Sequence, residues 1–585
     1  MYDILKTINS PADVKKLNKV ELETLAADIR EALFNRLTKI GGHFGPNFGI
    51  VEATIALHYV FESPKDKFVF DVSHQSYPHK MLTGRKNGYI KDECFKEDSG
   101  YTNPDESEHD LFNVGHTSTS VSLATGLAKA RDLKGGTENV IALIGDGSLS
   151  GGEALEALDF AGSELNSNLI IIVNDNQQSI AEVHGGLYKN LTELRETKGA
   201  AANNFFKALG LDYIYEENGN DIQAMIKVFQ KVKDINHPIV VHINTQKGKG
   251  YKLAEENREG WHWCMPFDKE TGKWNVEFPA ESYTSLTAEY IMNKAQKDKD
   301  FVVITPAMPM TAGLFEPMRK QLGSQYVDVG IAEEHAVALA SGVAKAGGKP
   351  LVVTNATFIQ RTYDQISQDV CINNNPVTIL LNYTSFDGLT DVTHLGIFTI
   401  PAFANIPNLV VLVPTSKEEY LNMLDWSVEQ REHPVMIIMP GNAVTSRASD
   451  KDFSTLNTFK TEQAGEKVAI LALGDFYQRG QELAAEIEKE LGFKPTLINP
   501  RFASGLDKKL LTNLAKNHQL VLTLEDGVMD GGFGQKIAAF YASSPMKVKN
   551  YGLHKEFYDR YDPQELLRQL GMMTEQIVAD VKNLI

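Results

Sequence analysis

Two polar triplets, each at the end of an apolar run, carry the strongest chemical signal in this sequence. Gly145-Asp146-Gly147 ends the run VIALIGDG, and Asn174-Asp175-Asn176 ends the run NLIIIVNDN after 26 intervening residues. Because ligands bind at the carboxyl edge of parallel sheets, we expect both triplets at such an edge. Glycine lets the backbone approach a diphosphate, and Mg²⁺ takes oxygen ligands that it shares with phosphates. Asp146, Asn176 and a backbone carbonyl, expected at Gln178, therefore form a candidate site for a Mg²⁺-diphosphate group.

The elements that must position these triplets are short apolar runs that alternate with helical stretches. Their length and β-branched content predict buried parallel strands. Repeated strand–helix alternation predicts α/β sheets with helices on both faces. The runs occupy residues 140–147, 168–176, 238–250, 349–358, 376–383, 408–416, 434–442, 468–476 and 520–527.

Two polar segments without periodicity, 254–284 and 445–467, suggest where domains meet. A chain of 585 residues is too long for one core, since domains hold roughly 100–200 residues each. We therefore expect three doubly wound α/β domains, at 1–282, 283–446 and 447–585.

Charge and cysteine content exclude several classes of protein. Lys and Arg number 58 against 76 Asp and Glu, giving a net charge of -18, which does not favour nucleic-acid binding. Cys94, Cys264 and Cys371 form neither a CxxC pair nor a zinc-ligand spacing. The N-terminal segment lacks the apolar stretch of a signal peptide, and no apolar run is long enough to span a membrane. We expect a cytoplasmic protein.

A Gly-Asp-Gly alone would usually be only a turn, because Asp-Gly is common there. Together with Asn-Asp-Asn at this distance, it resembles the thiamine-diphosphate fingerprint. Over nearly the whole chain the sequence resembles the 1-deoxyxylulose-5-phosphate synthase family of the transketolase superfamily. The similarity is dense at 41–61, 71–85, 113–122, 246–251, 304–308, 328–344, 356–370, 393–396 and 441–444.

The resemblance implies thiamine diphosphate and Mg²⁺ as cofactors and assigns residues to them. Phe358 would pack on the aminopyrimidine ring, with Arg361 nearby. The other implied cofactor positions are His74, Gly115, His116, Thr117, Gly147, Ser148, Asn176 and Tyr251.

Glu333, in the segment IAEEHA, matches the family glutamate that hydrogen-bonds the aminopyrimidine. That contact favours the imino tautomer, whose nitrogen takes the proton of the thiazolium carbon, so the protein tunes an acid–base group of the cofactor. The alternative is an ordinary carboxylate at a helix start, where the dipole favours it. Glu334 has no such match.

Histidines in the matched segments are candidates for proton transfer. In the family the positions of His43 and His394 face the reacting carbon, with His74 close by. Imidazole can be neutral or protonated near neutral pH and can therefore relay protons to developing alkoxides. His79 and His335 are interpreted as satisfied polar or surface residues.

The chain departs from the family where arginines bind the phosphate of glyceraldehyde 3-phosphate. Tyr383 and Pro104 stand at two of these positions, and the third arginine is missing between Pro440 and Gly441. Thr390 replaces a family aspartate. These changes indicate an altered acceptor site, unless Arg447 or nearby lysines supply the lost charge.

Three functions remain open. The first is a carboligase that decarboxylates pyruvate or a close 2-oxo acid and joins the two-carbon unit to glyceraldehyde 3-phosphate or a different aldehyde. Isoprenoid or thiamine biosynthesis would be its expected pathway. The second is a transketolase acting on sugar phosphates, and the third is a catalytically silent paralogue. The resemblance also implies a homodimer. The segments ITPAM and SHQSYPHK favour the first function, and the presence of Asp146, Asn176 and Glu333 argues against the third.

Overall fold

The apolar runs predicted as strands form strands in the computed structural model, which describes residues 2–585. The chain divides into two units. One runs up to Phe278 and includes Gly330–Ala332, and the other contains Pro279–Val329 and Glu333–Ile585. Ile331 belongs to the first unit because Ser150 Oγ accepts from its N–H at 3.1 Å and donates to its carbonyl at 3.2 Å. The three expected domain boundaries stay predictions.

The first unit contains a five-stranded parallel sheet in the order β2-β3-β4-β6-β5 and a short antiparallel pair, β1 with β7. The strands are β1 (Gly42–His43), β2 (Lys67–Phe70), β3 (Val140–Gly145), β4 (Leu169–Asp175), β5 (Asp212–Glu216), β6 (Pro238–Asn244) and β7 (Trp263–Cys264).

Helices surround this sheet, with Asp146–Ser150 a short 3₁₀ turn directly after β3 and Met81–Arg85 a wide turn. The α-helices of the first unit are Pro11–Val14, Lys19–Ile40, Gly45–Gly49, Val51–Val60, Tyr77–Lys80, Asn87–Ile90, Ser120–Leu133, Gly152–Glu164, Gly186–Glu196, Phe205–Ala208, Ile222–Val232 and Lys252–Glu256.

The second unit contains two sheets, in the orders β12-β13-β11-β10-β8-β9 and β14-β16-β15-β17-β18. The strands are β8 (Phe301–Thr305), β9 (Tyr326–Asp328), β10 (Lys349–Asn355), β11 (Thr378–Asn382), β12 (Val410–Leu412), β13 (Val435–Ile438), β14 (Lys460–Gln463), β15 (Lys467–Ala472), β16 (Thr496–Asn499), β17 (His518–Val528) and β18 (Lys547–Leu553). The α-helices are Tyr283–Lys297, Glu316–Leu322, Glu333–Lys345, Tyr363–Gln365, Thr399–Phe403, Lys417–Glu429, Tyr477–Leu491, Lys508–Leu514, Phe533–Tyr541, Pro563–Gln569 and Thr574–Leu584.

Each sheet is covered on both faces, which confirms the α/β class. In β3, Ile141 and Leu143 belong to one apolar cluster, whereas Val140, Ala142 and Ile144 belong to another. Successive strand residues point to opposite faces, so two clusters mean two covered faces. The strands of the other two sheets alternate between clusters in the same way.

Two strands, β7 and β14, lie where the sequence indicated only unpatterned boundary segments. β14 (KTEQ) pairs antiparallel with β16 at the edge of the third sheet, so that sheet is mixed rather than parallel throughout. An edge strand needs no apolar run, because one of its sides faces solvent. Within residues 2–585, no helix combines the length and apolar character needed to cross a membrane.

Candidate active site

The two polar triplets lie on neighbouring strands at one sheet edge. β3 and β4 pair in parallel with Gly145 opposite Asn174, so both triplets follow at the carboxyl ends of adjacent strands. This confirms the arrangement predicted from the sequence. A Cβ added to Gly147 would lie 2.8 Å from Ser179 Cβ, so glycine lets the segment after β4 approach the turn after β3.

Two oxygens at this edge have the character of metal ligands. Asp146 Oδ2 and Asn176 Oδ1 are buried and have no hydrogen-bond partner among the described residues. Burial and the neighbouring Asp175 raise the pKa of Asp146 well above its ordinary range. A divalent cation would satisfy both oxygens and restore ionisation of Asp146. The residues therefore fit a Mg²⁺ ion.

The third predicted ligand is less defined. Gln178 lies shortly after β4, and its Nε2 donates to Ile180 O at 3.4 Å. The role of its backbone carbonyl stays a prediction. No group of three His, Cys, Asp or Glu side chains suited to a metal ion occurs within residues 2–585. A site that combines one carboxylate with amide and carbonyl oxygens is consistent with this finding.

Asp175, between the two asparagines, bonds to other protein groups and is not a candidate metal ligand. Its carboxylate accepts hydrogen bonds from Arg195 and from Gln177 N, and it lies 2.9 Å from His242 Nε2. Burial opposes its ionisation, but His242 and Arg195 together hold the pKa of Asp175 below its ordinary value. Asp175 thus orders the segment that carries Asn176.

A lysine that the sequence analysis did not single out lies beside the triplets. Lys247 is 1% exposed, and its Nζ donates to Ser179 O at 2.6 Å. Burial lowers the pKa of Lys247 to about 7. Its position in the matched segment QKGKGY was the available signal, but the sequence did not show which lysine turns inward.

The Gly115-His116-Thr117 segment precedes the helix Ser120–Leu133 and is anchored by Asp71. The Asp71 carboxylate accepts from Ser118 N at 2.9 Å and from Ser120 N at 3.0 Å. Ser118 Oγ in turn donates to Ser148 O at 2.8 Å. These bonds bring the predicted cofactor loop against the turn that contains Gly147 and Ser148.

Three imidazoles cluster in the first unit, and we call His43, His74 and His262 the imidazole cluster. Ring centroids lie 5.2 Å apart for His43–His74, 5.4 Å for His74–His262 and 5.8 Å for His43–His262. Burial lowers the pKa of His262 well below its ordinary value. His262 lies in the aperiodic segment 254–284, so no sequence pattern pointed to it.

Asn47 holds the backbone on which two of these rings depend. Its Nδ2 donates to His43 O at 2.8 Å and to His74 O at 2.7 Å, and its Oδ1 accepts from Tyr77 N at 2.9 Å. Val72 and Ser73, just before His74, have φ values of 55° and 64°. Left-handed backbone at a β-branched residue is strained and is held only by surrounding contacts.

Tyr251 takes a different environment from the other predicted cofactor residues. Its ring packs among Phe34, Phe44 and Trp261 at centroid distances of 5.2, 5.4 and 5.1 Å. Its hydroxyl donates to Lys269 O at 3.0 Å. Its role in cofactor binding stays a prediction.

In the second unit, Glu333 starts the helix Glu333–Lys345 and is 4% exposed. Its Oε2 has no hydrogen-bond partner among the described residues, and Arg361 Nη1 lies 3.6 Å from it. Burial raises the pKa of Glu333 to about 7. A buried carboxyl with an unsatisfied oxygen fits a ring-nitrogen partner such as an aminopyrimidine.

Phe358 and His394 also lie together in this unit, with ring centroids 5.6 Å apart in an edge-to-face arrangement. Thr393 Oγ1 lies 2.8 Å from His394 Nδ1, and Asp391 Oδ1 lies 3.4 Å from it. Despite burial, His394 and Thr393 hold the pKa of Asp391 below its ordinary value. A carboxylate therefore lies near His394, one residue after Thr390. His335 is exposed, as its interpretation as a surface residue predicted.

One of the positions of the missing arginines, at Gly441, has an acidic neighbour. Gly441 N donates to Asp475 Oδ2 at 2.8 Å. Tyr383 is 44% exposed, and its carbonyl lies against Gly396, where an added Cβ would approach within 2.2 Å. Pro104, in the first unit, is exposed.

Arg447 is already engaged elsewhere in the second unit. Its guanidinium lies 4.0 Å from the centre of the Tyr477 ring and donates to Thr415 Oγ1. Glu419 and Glu462 lie 3.8 and 3.9 Å from it. These contacts favour a structural role for Arg447.

Comparison with known proteins connects this site to a family. Residues 5–203 and 195–245 match the profile described as 1-deoxy-D-xylulose-5-phosphate synthase. Residues 281–446 match the transketolase pyrimidine binding domain, and residues 457–577 match the transketolase C-terminal domain.

Solved structures similar to the chain include the transketolase from Leishmania mexicana, at 15% identity and a TM-score of 0.44, covering 96% of this chain and 97% of that one. A transketolase from Campylobacter jejuni matches at 17% identity and a TM-score of 0.44, covering 97% of this chain and 100% of that one.

Curated relatives are more similar in sequence. The chain is 37% identical to the 1-deoxy-D-xylulose-5-phosphate synthase of Clostridium beijerinckii, covering 100% of both chains. It is likewise 37% identical to the enzyme of that name from Carboxydothermus hydrogenoformans, with 100% of both chains covered. The resemblance seen in the motifs thus extends over the full alignment, and the chain belongs to the 1-deoxy-D-xylulose-5-phosphate synthase family.

Proposed function

We propose that the protein is a thiamine-diphosphate- and Mg²⁺-dependent transferase that decarboxylates pyruvate and joins the two-carbon unit to an aldehyde. The observation that carries this proposal is that three predicted cofactor contacts, Asp146 Oδ2, Asn176 Oδ1 and Glu333 Oε2, are buried and have no hydrogen-bond partner among the described residues. In a member of this family, such oxygens are explained by the cation and the aminopyrimidine that they would bind.

In the first unit, one set of residues would bind Mg²⁺ and another set would bind the diphosphate. Asp146, Asn176 and the Gln178 carbonyl would hold Mg²⁺. The diphosphate would be bound by the remaining predicted cofactor residues of this unit, namely His74, Gly115, His116, Thr117, Gly147, Ser148 and Tyr251. When bound, thiamine diphosphate supplies a carbon acid that becomes a nucleophile toward the carbonyl of a 2-oxo acid.

In the second unit, Glu333 would control a proton on the aminopyrimidine, and Phe358 and Arg361 would orient the ring. A carboxyl whose pKa burial raises to about 7 can hold or release a proton near neutral pH. Arg361, at 3.6 Å, biases Glu333 toward the ionised form.

Proton transfer to substrate oxygens is assigned to His43, His74 and His394. His262 joins them because its ring stacks on His74 and its pKa is lowered, which favours a neutral imidazole that can accept a proton. Asp391 would orient His394 through Nδ1.

The acceptor is proposed to be an aldehyde other than glyceraldehyde 3-phosphate. Burial raises the pKa of Asp475 only to about 6, so this carboxylate is ionised at neutral pH. A negative charge beside Gly441, where an arginine was expected, disfavours a phosphate. The engaged guanidinium of Arg447 supports the same conclusion.

The homodimer, the cytoplasmic location and a place in isoprenoid or thiamine biosynthesis are further proposals, which rest on family membership. Transketolase activity and a catalytically silent paralogue remain the alternatives.

One experiment separates all three functions. The protein is incubated with thiamine diphosphate, Mg²⁺ and pyruvate labelled at C1 or at C2, with and without an aldehyde. A carboligase releases C1 as carbon dioxide and places the C2 label in a ligated product. A transketolase would instead consume a ketose phosphate and leave pyruvate unchanged, whereas a silent paralogue would turn over neither substrate.

A further inference from the structure

The loop Ser99–Asp110 contacts the imidazole cluster at His43 and also contacts Ser73, the residue before His74. The Tyr101 ring lies edge-on to His43, with centroids 5.6 Å apart and an interplanar angle of 68°. Thr102 N donates to Ser73 Oγ at 2.9 Å, directly before His74. A loop of irregular backbone thus sets the surroundings of two catalytic candidates.

Four buried charges hold this loop, and we call Lys80, Arg85, Glu106 and Asp110 the ionic clip. Lys80 Nζ lies 2.5 Å from Glu106 Oε2, and Arg85 donates to both Asp110 oxygens at 2.7 and 2.8 Å. The side chains of Lys80 and Asp110 are 0% exposed, and those of Arg85 and Glu106 are 9% and 10% exposed. The two cations therefore neutralise the two anions within the protein.

The same carboxylates also close the loop on itself. Glu106 Oε1 accepts from Ser99 N at 2.7 Å, and Asp110 Oδ2 accepts from Asn103 N at 2.8 Å. Lys80 Nζ adds a bond to Ser99 Oγ at 3.1 Å. The backbone on each side of Tyr101, at Ser99 and at Asn103, is thus hydrogen-bonded to the ionic clip.

Two further imidazoles, His79 and His58, form a hydrogen-bonded chain that ends at Asp110 of the clip. His79 Nε2 lies 3.0 Å from Asp110 Oδ1, and His58 Nε2 lies 3.0 Å from His79 Nδ1. Burial lowers the pKa of both histidines, which fits a neutral pair donating in sequence toward Asp110. His79, first interpreted as a satisfied polar residue, is indeed satisfied by these bonds.

A local irregularity brings Arg85 into place. The helical path after Tyr77–Lys80 breaks at Thr83 and Gly84, where Gly84 has a φ of 98°. Arg85 Nη2 donates to Thr83 Oγ1 at 2.9 Å, so the guanidinium turns back toward Asp110. Glycine suits this break because other residues rarely adopt that φ.

Burying four charges is a poor way to gain stability, since the desolvation cost rivals the attraction between them. Such networks are better at enforcing one arrangement. We propose that the ionic clip is a positioning device for the reaction and that Tyr101 is a further positioning residue, acting through His43. The activity arm of the test rests on the proposed function, whereas the position of the loop does not.

The loop arm compares amide hydrogen exchange in the full-length protein without added cofactor, for wild type, Glu106→Gln and Arg131→Gln. Arg131 is a matched buried arginine at the opposite sheet edge, where it donates to Glu138 O and Asn168 O at 3.0 and 2.8 Å. We expect exchange of segment 99–110 to rise on the order of tenfold in Glu106→Gln and to stay unchanged in Arg131→Gln. Unchanged exchange in Glu106→Gln would overturn the role of the clip.

The activity arm compares Tyr101→Ala with Tyr101→Phe in pyruvate decarboxylation. Because small misplacements of catalytic groups can cost up to about a hundredfold, we expect Tyr101→Ala to lower kcat on the order of tenfold or more. The KM for pyruvate and the affinity for thiamine diphosphate should stay within about threefold, and Tyr101→Phe should restore kcat because it keeps the ring on His43.

A wild-type kcat in Tyr101→Ala, or a loss confined to KM, would overturn the role of Tyr101. Wild-type protein without pyruvate turnover would refute the proposed function, while the exchange arm would still decide whether the clip holds the loop. Tyr101 is only half-buried, so its variants keep the proposal testable if Glu106→Gln does not fold.

Discussion

At the scale of single residues, the buried oxygens of Asp146, Asn176 and Glu333 are the ones that bear on cofactor binding. A buried acceptor without a partner usually costs about 1–3 kcal/mol, so proteins retain few of them. Among the buried polar atoms without partners in the described residues, these three lie at positions where the sequence predicted cofactor contacts. They make cofactor binding the residue-level property that is easiest to test.

Asp146→Ala should abolish tight binding of thiamine diphosphate with Mg²⁺ while preserving the fold. Changing even an outer partner of a metal ligand costs roughly 10–100-fold in affinity, so losing the carboxylate itself should cost at least about a hundredfold. Isothermal titration measures the change. Asp159→Ala, an exposed aspartate on the helix Gly152–Glu164, is the control and should bind like wild type. Equal affinity in Asp146→Ala would remove Asp146 from the metal site.

Glu333→Gln should bind the cofactor nearly normally but slow proton exchange at the thiazolium carbon. The amide cannot hold the negative charge that controls the aminopyrimidine, and positioned acid–base groups contribute roughly 10²–10⁴-fold. Deuterium exchange followed by NMR gives the rate. Glu334→Gln is the neighbouring control, and wild-type exchange in Glu333→Gln would exclude Glu333 from the mechanism.

The raised pKa of Glu333 also predicts how its charge affects stability. The folded pKa of about 7 exceeds the ordinary value of 4.5, so the folded state binds the proton more tightly. The contribution of this proton to the free energy of unfolding is therefore fully present below pH 4.5 and is lost as the pH rises through 7. At about 1.36 kcal/mol for each pKa unit, the contribution is about 3 kcal/mol.

Without cofactor, Glu333→Gln should therefore gain melting temperature relative to wild type between pH 4.5 and 8. Differential scanning at several pH values measures the gain. A difference between variant and wild type that does not depend on pH would contradict the raised pKa.

At the scale of elements, the turn after β3 depends on how closely the segment after β4 approaches it. Gly147→Ala would place a methyl group 2.8 Å from Ser179 Cβ, and the two segments would have to separate. We expect the affinity for thiamine diphosphate with Mg²⁺ to fall on the order of tenfold, because both segments contribute metal ligands.

Gly145→Ala is the matched control for that turn. A Cβ there meets no heavy atom of the described residues within 4 Å, and Gly145 has φ -74° and ψ 150°, which alanine adopts readily. Titration should show wild-type affinity for Gly145→Ala. Equal affinities for both alanine variants would show that the close approach does not matter for binding.

At the scale of the whole molecule, the central question is which aldehyde the enzyme accepts. Hydrogen bonds to ionised groups contribute about 1.5–3 kcal/mol each, so losing two or three could cost a hundredfold or more, although such contributions rarely add simply. We expect ready decarboxylation of pyruvate but poor use of glyceraldehyde 3-phosphate relative to relatives that carry the arginines.

Steady-state kinetics with glyceraldehyde 3-phosphate and with glyceraldehyde measure that preference. Asp475→Asn should improve kcat/KM for the phosphorylated aldehyde more than for the unphosphorylated one, because it removes the charge beside Gly441. Lys451→Gln changes an exposed charge and should leave the ratio unchanged. A strong preference of wild type for the phosphorylated aldehyde at ordinary efficiency would show that other residues bind the phosphate.

The sequence predicted much of this arrangement because its signals are local. Apolar β-branched runs located nine strands of the three sheets, and the polar triplets located the sheet edge predicted to bind the metal. The edge strand β14 was missed because its sequence, KTEQ, is polar and carries no such run. His262 and Lys247 were missed because nothing near them in the sequence indicates which side chains turn inward.

By itself, the sequence determined the α/β class through strand patterning and the family through its resemblance, both of which are properties of residue order, while the residues assigned to the cofactor stay predictions. The tertiary structure determined the contacts between residues that lie far apart in the sequence. It brings the ring of His262 into contact with those of His43 and His74. It also places the guanidinium of Arg447 over the Tyr477 ring. Asp475 lies beside Gly441 for the same reason. Burial and pairing of charges arise only when such segments pack together, so these properties cannot be read from residue order.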